Sequence, residues 1–267
     1  MTRLSIARAL CALSLAATAA CGGTSLNGGR LTGANLSGGD LSGASLTRVD
    51  LTQTNLGGLI LSRANLSGSD LTGADLTGAD LTRTNFAKAR LHDVIFTDAT
   101  LDHTSFANAE LDGAMLEGMD LRTLNLKGAD LSGAHLAGTN LHNAKLKGAT
   151  LSGADLSSAD LSGGRLDKVD AGGANFSGAD LRQAVFKGAN IAGANFTGAN
   201  LSGGDLRGAD LSGAILSGAD LTGADFEKAN LYGGTFEGTT WTGVTCPDGT
   251  SANANEGVTC EGHLRAD

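Results

Sequence analysis

The sequence predicts an all-β fold, a solenoid wound in four-sided coils, and three observations lead there. From Leu26 to Trp241 every fifth residue is apolar, 44 positions without one insertion, of which 33 are Leu. Two residues before each of them stands a small residue, alanine in 26 of the 44. All eight Phe occupy the five-residue register and fall into two sets. Phe86, Phe106, Phe186 and Phe226 differ by multiples of 20, as do Phe96, Phe176, Phe196 and Phe236, and the sets are offset by 10.

A period of five matches neither the 3.6 of a helix nor the 2 of a plain strand. A helix of this sequence would also carry glycine at nearly every fifth position, at a cost of about 1 kcal/mol each. Apolar residues at i−2 and i point to the same side of an extended segment. Asp or Asn precedes the large residue, Ser or Thr follows it, and glycine commonly comes next, as in Ala74-Asp75-Leu76-Thr77-Gly78. That glycine supplies a turn position with φ > 0. Each unit is therefore one side of a coil, and four sides make the 20-residue turn that places the two Phe sets in opposite interior columns. Eleven such coils, spaced like strands in a sheet, predict a rod roughly 50 Å long. One coil cannot bury its own Leu ring, so neighbours must cover it. Burial is worth about 1.5–3 kcal/mol per Leu.

The consensus A-(D/N)-L-(S/T)-G over residues 24–243 resembles the pentapeptide repeat family. The resemblance implies a right-handed quadrilateral β-helix without enzymatic activity. The family includes cytoplasmic quinolone-resistance proteins that resemble DNA and bind type II topoisomerases such as gyrase, which is the alternative function to weigh.

The two ends read differently. Arg3 and Arg8, the apolar run 9–17 and the small residues Thr18-Ala19-Ala20 form a secretory signal over 1–20. Thr18-Ala19-Ala20-Cys21 resembles the lipobox of bacterial lipoproteins, with Thr18 where that family usually has an aliphatic residue. The resemblance implies lipidation of Cys21, with 21–23 as a short spacer. Plain cleavage after Ala20 is the alternative. In the tail, 244–267, Cys246 and Cys260 are close enough in sequence to pair, and lipidation would account for the odd thiol at Cys21. The segment Val244 to Thr250 is read as breaking the repeat register, with Pro247-Asp248-Gly249 as a tight turn. The expected location is the bacterial cell envelope, membrane-anchored, or else periplasmic or secreted.

Composition narrows the function. With 41 Gly but one Pro the chain is not collagen-like, and 18 % charged residues do not make a charge-rich disordered chain. No apolar run approaches the length of about 18 residues that a membrane-spanning helix needs. Net charge is −9, and −11 without residues 1–20, which argues against direct nucleic acid binding. The acids before the large residues sort by side. Asp40, Asp80, Asp120, Asp160, Asp180 and Asp220 share one column, and Asp50, Asp70, Glu110, Asp130, Asp170 and Asp210 the opposite one. Two acidic stripes are thus candidate recognition surfaces. Ile95, Met115 and Ile215 occupy one outward column and form a candidate apolar interface. His92, His103, His135 and His142 fall in three repeat phases, and no residue set suggests catalysis, a metal or a cofactor. The expected partners are a protein not identifiable from sequence, the bilayer through the anchor, and a second copy meeting end to end at an unpaired coil edge.

Overall fold

The computed structural model describes residues 26–252 and Cys260. Cys21 and the 1–23 segment, including the signal and the lipobox, lie outside the described residues. The chain divides into two compact units, residues 26–116 with 123–130, and residues 117–122 with 131–252 and Cys260.

Within each unit the coil is set by backbone pairing across 20 residues. Residues such as Asn55 and Asp75, Glu110 and Asp130, or Asp160 and Asp180 form parallel bridges. The amide of a large residue typically donates to a carbonyl one coil on, Leu31 N to Asp50 O at 2.7 Å and Leu181 N to Asn200 O at 2.7 Å. The residue before it donates one coil back, Asp50 N to Gly29 O at 2.9 Å. Each side is a single bridge residue rather than a continuous strand, because a five-residue unit spends two residues on its turn.

The turn closes by a hydrogen bond from the small residue to the carbonyl of the preceding large one, as in Ala74 N to Leu71 O at 2.8 Å. The residue just before the small one has φ > 0, as a type II turn requires. Gly78, at 66°, adopts this freely. Fourteen other residues, among them Arg83 at 59° and Lys168 at 57°, are held there despite their Cβ. Among the described residues Thr123 is the one register position without a positive φ. A β-branched side chain is least tolerated in that region. Thr123 sits beside Leu124, a large residue at a small position, and close to Met119, another; the chain changes unit within this stretch.

The interior is filled. The large residues from Leu36 to Trp241 are buried, as are the alanines at the small position apart from the half-buried Ala34 and Ala99. Phe86 stacks on Phe106 with centroids 5.3 Å apart, and Phe176 on Phe196 at 4.9 Å. The opposing columns meet edge to face, Phe96 on Phe106 at 5.8 Å and Phe186 on Phe196 at 6.3 Å. Such contacts add about 0.5–1.5 kcal/mol per pair beyond burial. Hydroxyls at the small position are buried but satisfied. Ser69 Oγ donates to Leu46 O and Thr104 Oγ1 to Leu81 O, both at 2.6 Å. Among the described residues no buried side-chain nitrogen or oxygen lacks a partner.

The register does not stop at residue 243. Val244 is buried at a small position, Cys246 at the next large one, and Thr245 still bridges Asp225. The turn at Pro247-Asp248-Gly249 then reverses the chain. Strand β1, Val244–Thr245, pairs antiparallel with β2, Ser251–Ala252. Cys246 is disulfide-bonded to Cys260, and both are fully buried. Trp241 packs on Phe236 at 5.2 Å and Phe226 at 6.4 Å, so an aromatic cluster and a covalent link close this end of the second unit.

Two predictions follow from the turn and the ladder. Leu136→Asp, which buries a charge without a partner, should melt the coils around it. Asp155→Asn keeps the acceptor oxygen and removes only the charge, so its melting temperature should fall far less than that of Leu136→Asp. Nothing lies within 4 Å of a Cβ added at Gly78. Gly78→Ala should therefore cost about 1 kcal/mol through backbone strain alone, while Arg83→Gly should recover up to a similar amount; denaturant titration reads both.

Candidate interaction surfaces

With the interior packed, the surface of the coils is where chemistry can be offered. Its most regular feature is the acid or amide before each large residue. The Oδ1 atom there accepts the backbone N–H two residues on: Ser42 N to Asp40 at 2.8 Å, Ser162 N to Asp160 at 2.9 Å, Ser212 N to Asp210 at 2.9 Å. Asn195 does the same for Thr197 N at 3.0 Å. The following hydroxyl often donates to the same oxygen, as Thr222 Oγ1 does to Asp220 at 2.6 Å. Asp and Asn recur because only they carry an acceptor at the distance that caps this turn. The Asp/Asn-x-Ser/Thr spacing was visible in the sequence as that signal. The acids expected as recognition stripes are first of all turn caps.

The columns are also less acidic than a row of carboxylates. In the first unit Asp50 and Asp70 bridge each other and are flanked by arginines. Arg30 Nε lies 3.3 Å from Asp50, and Arg90 lies 3.0 Å from Asp70 and 3.5 Å from Glu110. Ile60 stands between Asp40 and Asp80, exposed at 39 %. In the second unit Arg122 pairs with Asp120 at 2.6 Å and Arg182 with Asp180 at 2.5 Å. Asn190 Nδ2 donates to Asp170 Oδ1 at 2.9 Å, and Asn230 Nδ2 to Asp210 Oδ1 at 3.0 Å. Carboxylates stacked one coil apart would repel, and an amide interposed between them turns that repulsion into a hydrogen bond.

Several carboxyls are held below their ordinary range. For Asp120 and Asp180 the main cause is the arginine two residues on, for Asp50 the Thr52 hydroxyl, for Asp155 the Ser157 hydroxyl, and for Asp205 the Arg207 guanidinium. One contact had no sequence signal. His92 sits between two acids of the next coil, its Nε2 2.9 Å from Glu110 and its Nδ1 against Asp112. Spacings of 18 and 20 residues become contacts only when the coil closes.

Of the apolar candidates, Ile95 and Met115 bridge each other in the first unit, exposed at 38 % and 48 %. Ile215 belongs to the second unit, between Asn195 and Thr235. Tyr232, the most exposed of the large apolar side chains described, lies on another side of that unit.

The model of pentapeptide repeats matches the chain in eight copies, over residues 19–53, 60–98, 96–123, 125–163, 165–203 and 205–240. The chain belongs to the pentapeptide repeat family. No curated protein matches it. Among solved structures this pentapeptide repeat protein is similar to HetL, involved in heterocyst differentiation regulation in the cyanobacterium Nostoc. Identity is 30 % over 91 % of this chain and 97 % of that one, with a TM-score of 0.35. It is similar also to a pentapeptide repeat protein of the Arabidopsis thaliana thylakoid lumen, at 28 % identity over 48 % of this chain and 71 % of that one, TM-score 0.24. A third is QnrB1, a plasmid-mediated fluoroquinolone resistance protein, at 20 % identity over 80 % and 92 %, TM-score 0.23.

The lowered carboxyls set the direction of a pH dependence. The folded protein binds these protons less tightly than the unfolded chain, so their contribution is complete above the unfolded carboxyl pKa of about 3.9. It is lost as pH falls through the lower folded values. Melting temperature should be level from pH 8 to about pH 5 and drop below about pH 4. A circular dichroism melt at each pH checks this.

Proposed function

We propose that this pentapeptide repeat protein is a non-enzymatic scaffold of the bacterial cell envelope, exported by residues 1–20 and held to a membrane through lipidated Cys21. In this reading residues 24–243 form a right-handed quadrilateral β-helix of eleven coils. The tail 244–267, tied by the Cys246–Cys260 bridge, ends it. The observation that carries the reading is the combination of an export-type leader with a repeat domain whose interior is filled by its own Leu and Phe. A packed interior leaves the sides and ends for binding, which suits a protein that presents surfaces to other macromolecules. A buried disulfide suits an oxidising compartment.

The anchor is strong enough for the task. Each buried CH2 contributes about 0.8 kcal/mol, and stable attachment takes more than one acyl chain. Intact mass of the mature protein decides the matter. A diacylglyceryl group at Cys21, with the protein in the membrane fraction, is the expected result, and Cys21→Ala should release the protein or leave the precursor unprocessed. An unmodified N-terminal Cys21 in the soluble fraction would mean plain secretion. A retained Met1 with a cytoplasmic location would overturn export and favour a topoisomerase-binding protein.

A further inference from the structure

The charges of this chain are segregated by side. Sorted by the 20-residue coil, all seven lysines fall on the side that begins with the column Lys145–Arg165–Val185–Asp205. In the first unit that side carries Arg48, Lys88 and Lys127 and no acid. Among the described residues of the second unit it carries seven cations against five acids. The opposite side of the second unit holds Glu117, Asp155 and Glu237 and no lysine or arginine. In each unit, then, the lysine side is net cationic although the chain as a whole carries −9.

Within the second unit the cations are concentrated on adjacent coils. Lys145 bridges Arg165 across one coil, and Lys168 N donates to Lys187 O at 3.1 Å. Lys145, Lys147, Lys168 and Lys187 are exposed and form no ion pair among the described residues. The arginines behave differently. Arg165 is paired with Asp167, and Arg207 with Asp205 and Asp225. Elsewhere Arg30, Arg90, Arg122 and Arg182 are paired too. Six of the nine described arginines are thus paired with carboxylates, where the planar fork fits, whereas of the seven lysines only Lys228 is, with Glu227 at 2.8 Å.

We propose that this lysine side rests on an anionic phospholipid surface. Lysine is depleted at protein–protein interfaces, where arginine and aromatics are favoured, so a protein partner is the poorer match. A diffuse layer of lipid phosphates asks only for accumulated positive charge on a side that can lie against it. Salt screens charges over about 8 Å, so a bilayer in contact with the lysines senses them more than the acids behind them. The proposal rests on the envelope reading only in that a membrane is within reach, and it gives the anchored protein a preferred side toward the bilayer.

The test separates the two. Full-length protein carrying Cys21→Ala, and so without lipid, is sedimented with vesicles of phosphatidylcholine alone or with about one third phosphatidylglycerol at low salt. Binding should be stronger to the anionic vesicles and fall as salt is raised. Lys147→Glu with Lys168→Glu should weaken that binding by about tenfold or more. Arg63→Glu with Arg83→Glu, the same change in net charge at exposed arginines of the first unit that lie outside the lysine register, should weaken it by less than about twofold. Melting curves of both variants confirm folding. Equal losses in the two variants, or no preference for anionic vesicles, would overturn the proposal. So would lysine variants that bind vesicles normally but lose self-association in sedimentation velocity, which would point to a second copy's acidic side as the partner. None of these results depends on whether Cys21 is lipidated in the cell.

Discussion

The interaction on which everything else depends is the backbone hydrogen bond between a large residue and the carbonyl nineteen residues further on, Leu31 N to Asp50 O and its repeats. A pentapeptide satisfies only its turn amide internally, as Ala74 N does on Leu71 O, so the amides of the large residue and of the residue before it need a neighbouring coil. That requirement holds the chain to a 20-residue turn and forbids insertions. One additional residue would shift the next Leu out of the interior and break the ladder together. Stability is then a sum of coil-to-coil contacts, with the weakest places at the ends and wherever a unit departs from the pattern.

The departures are consistent with that constraint. Thr123 avoids a conformation that its branched Cβ tolerates poorly, Leu124 and Met119 overfill the small position, and the division into two units falls across them. At the end of the second unit the repeat gives way to the β1–β2 hairpin, the Cys246–Cys260 link and the Trp241 cluster. A chain that stacks by open backbone edges must blunt them or pair with further copies.

Function in such a protein is a matter of what the sides display. Most of the acids before each Leu cap turns and several are paired with Arg or Asn, although Asp50 and Asp70, Glu110 and Asp130, and Asp160 and Asp180 bridge each other directly. The lysines carry no comparable structural duty, and their confinement to one side stands out for that reason. An acidic protein can in this way present a basic surface to a membrane while staying soluble elsewhere.

By itself the sequence determined the coil. The five-residue period, the small residue two before each Leu and the Phe positions modulo 20 follow from local geometry, because φ preferences and side-chain alternation act within a few residues. The same modular sorting placed the acids and the lysines on their sides. Only the tertiary structure decided which charges meet. Arg90 between Asp70 and Glu110, His92 between Glu110 and Asp112, and Asn190 on Asp170 are contacts across 18 to 20 residues, and their partners depend on rotamers chosen in the closed coil. It also decided that Cys246 occupies a core position, since a register that runs into Pro247 looks broken until Val244 is seen buried and Thr245 pairing with the coil before it. Local preference sets the shape of each turn, and packing between coils sets what the turns display.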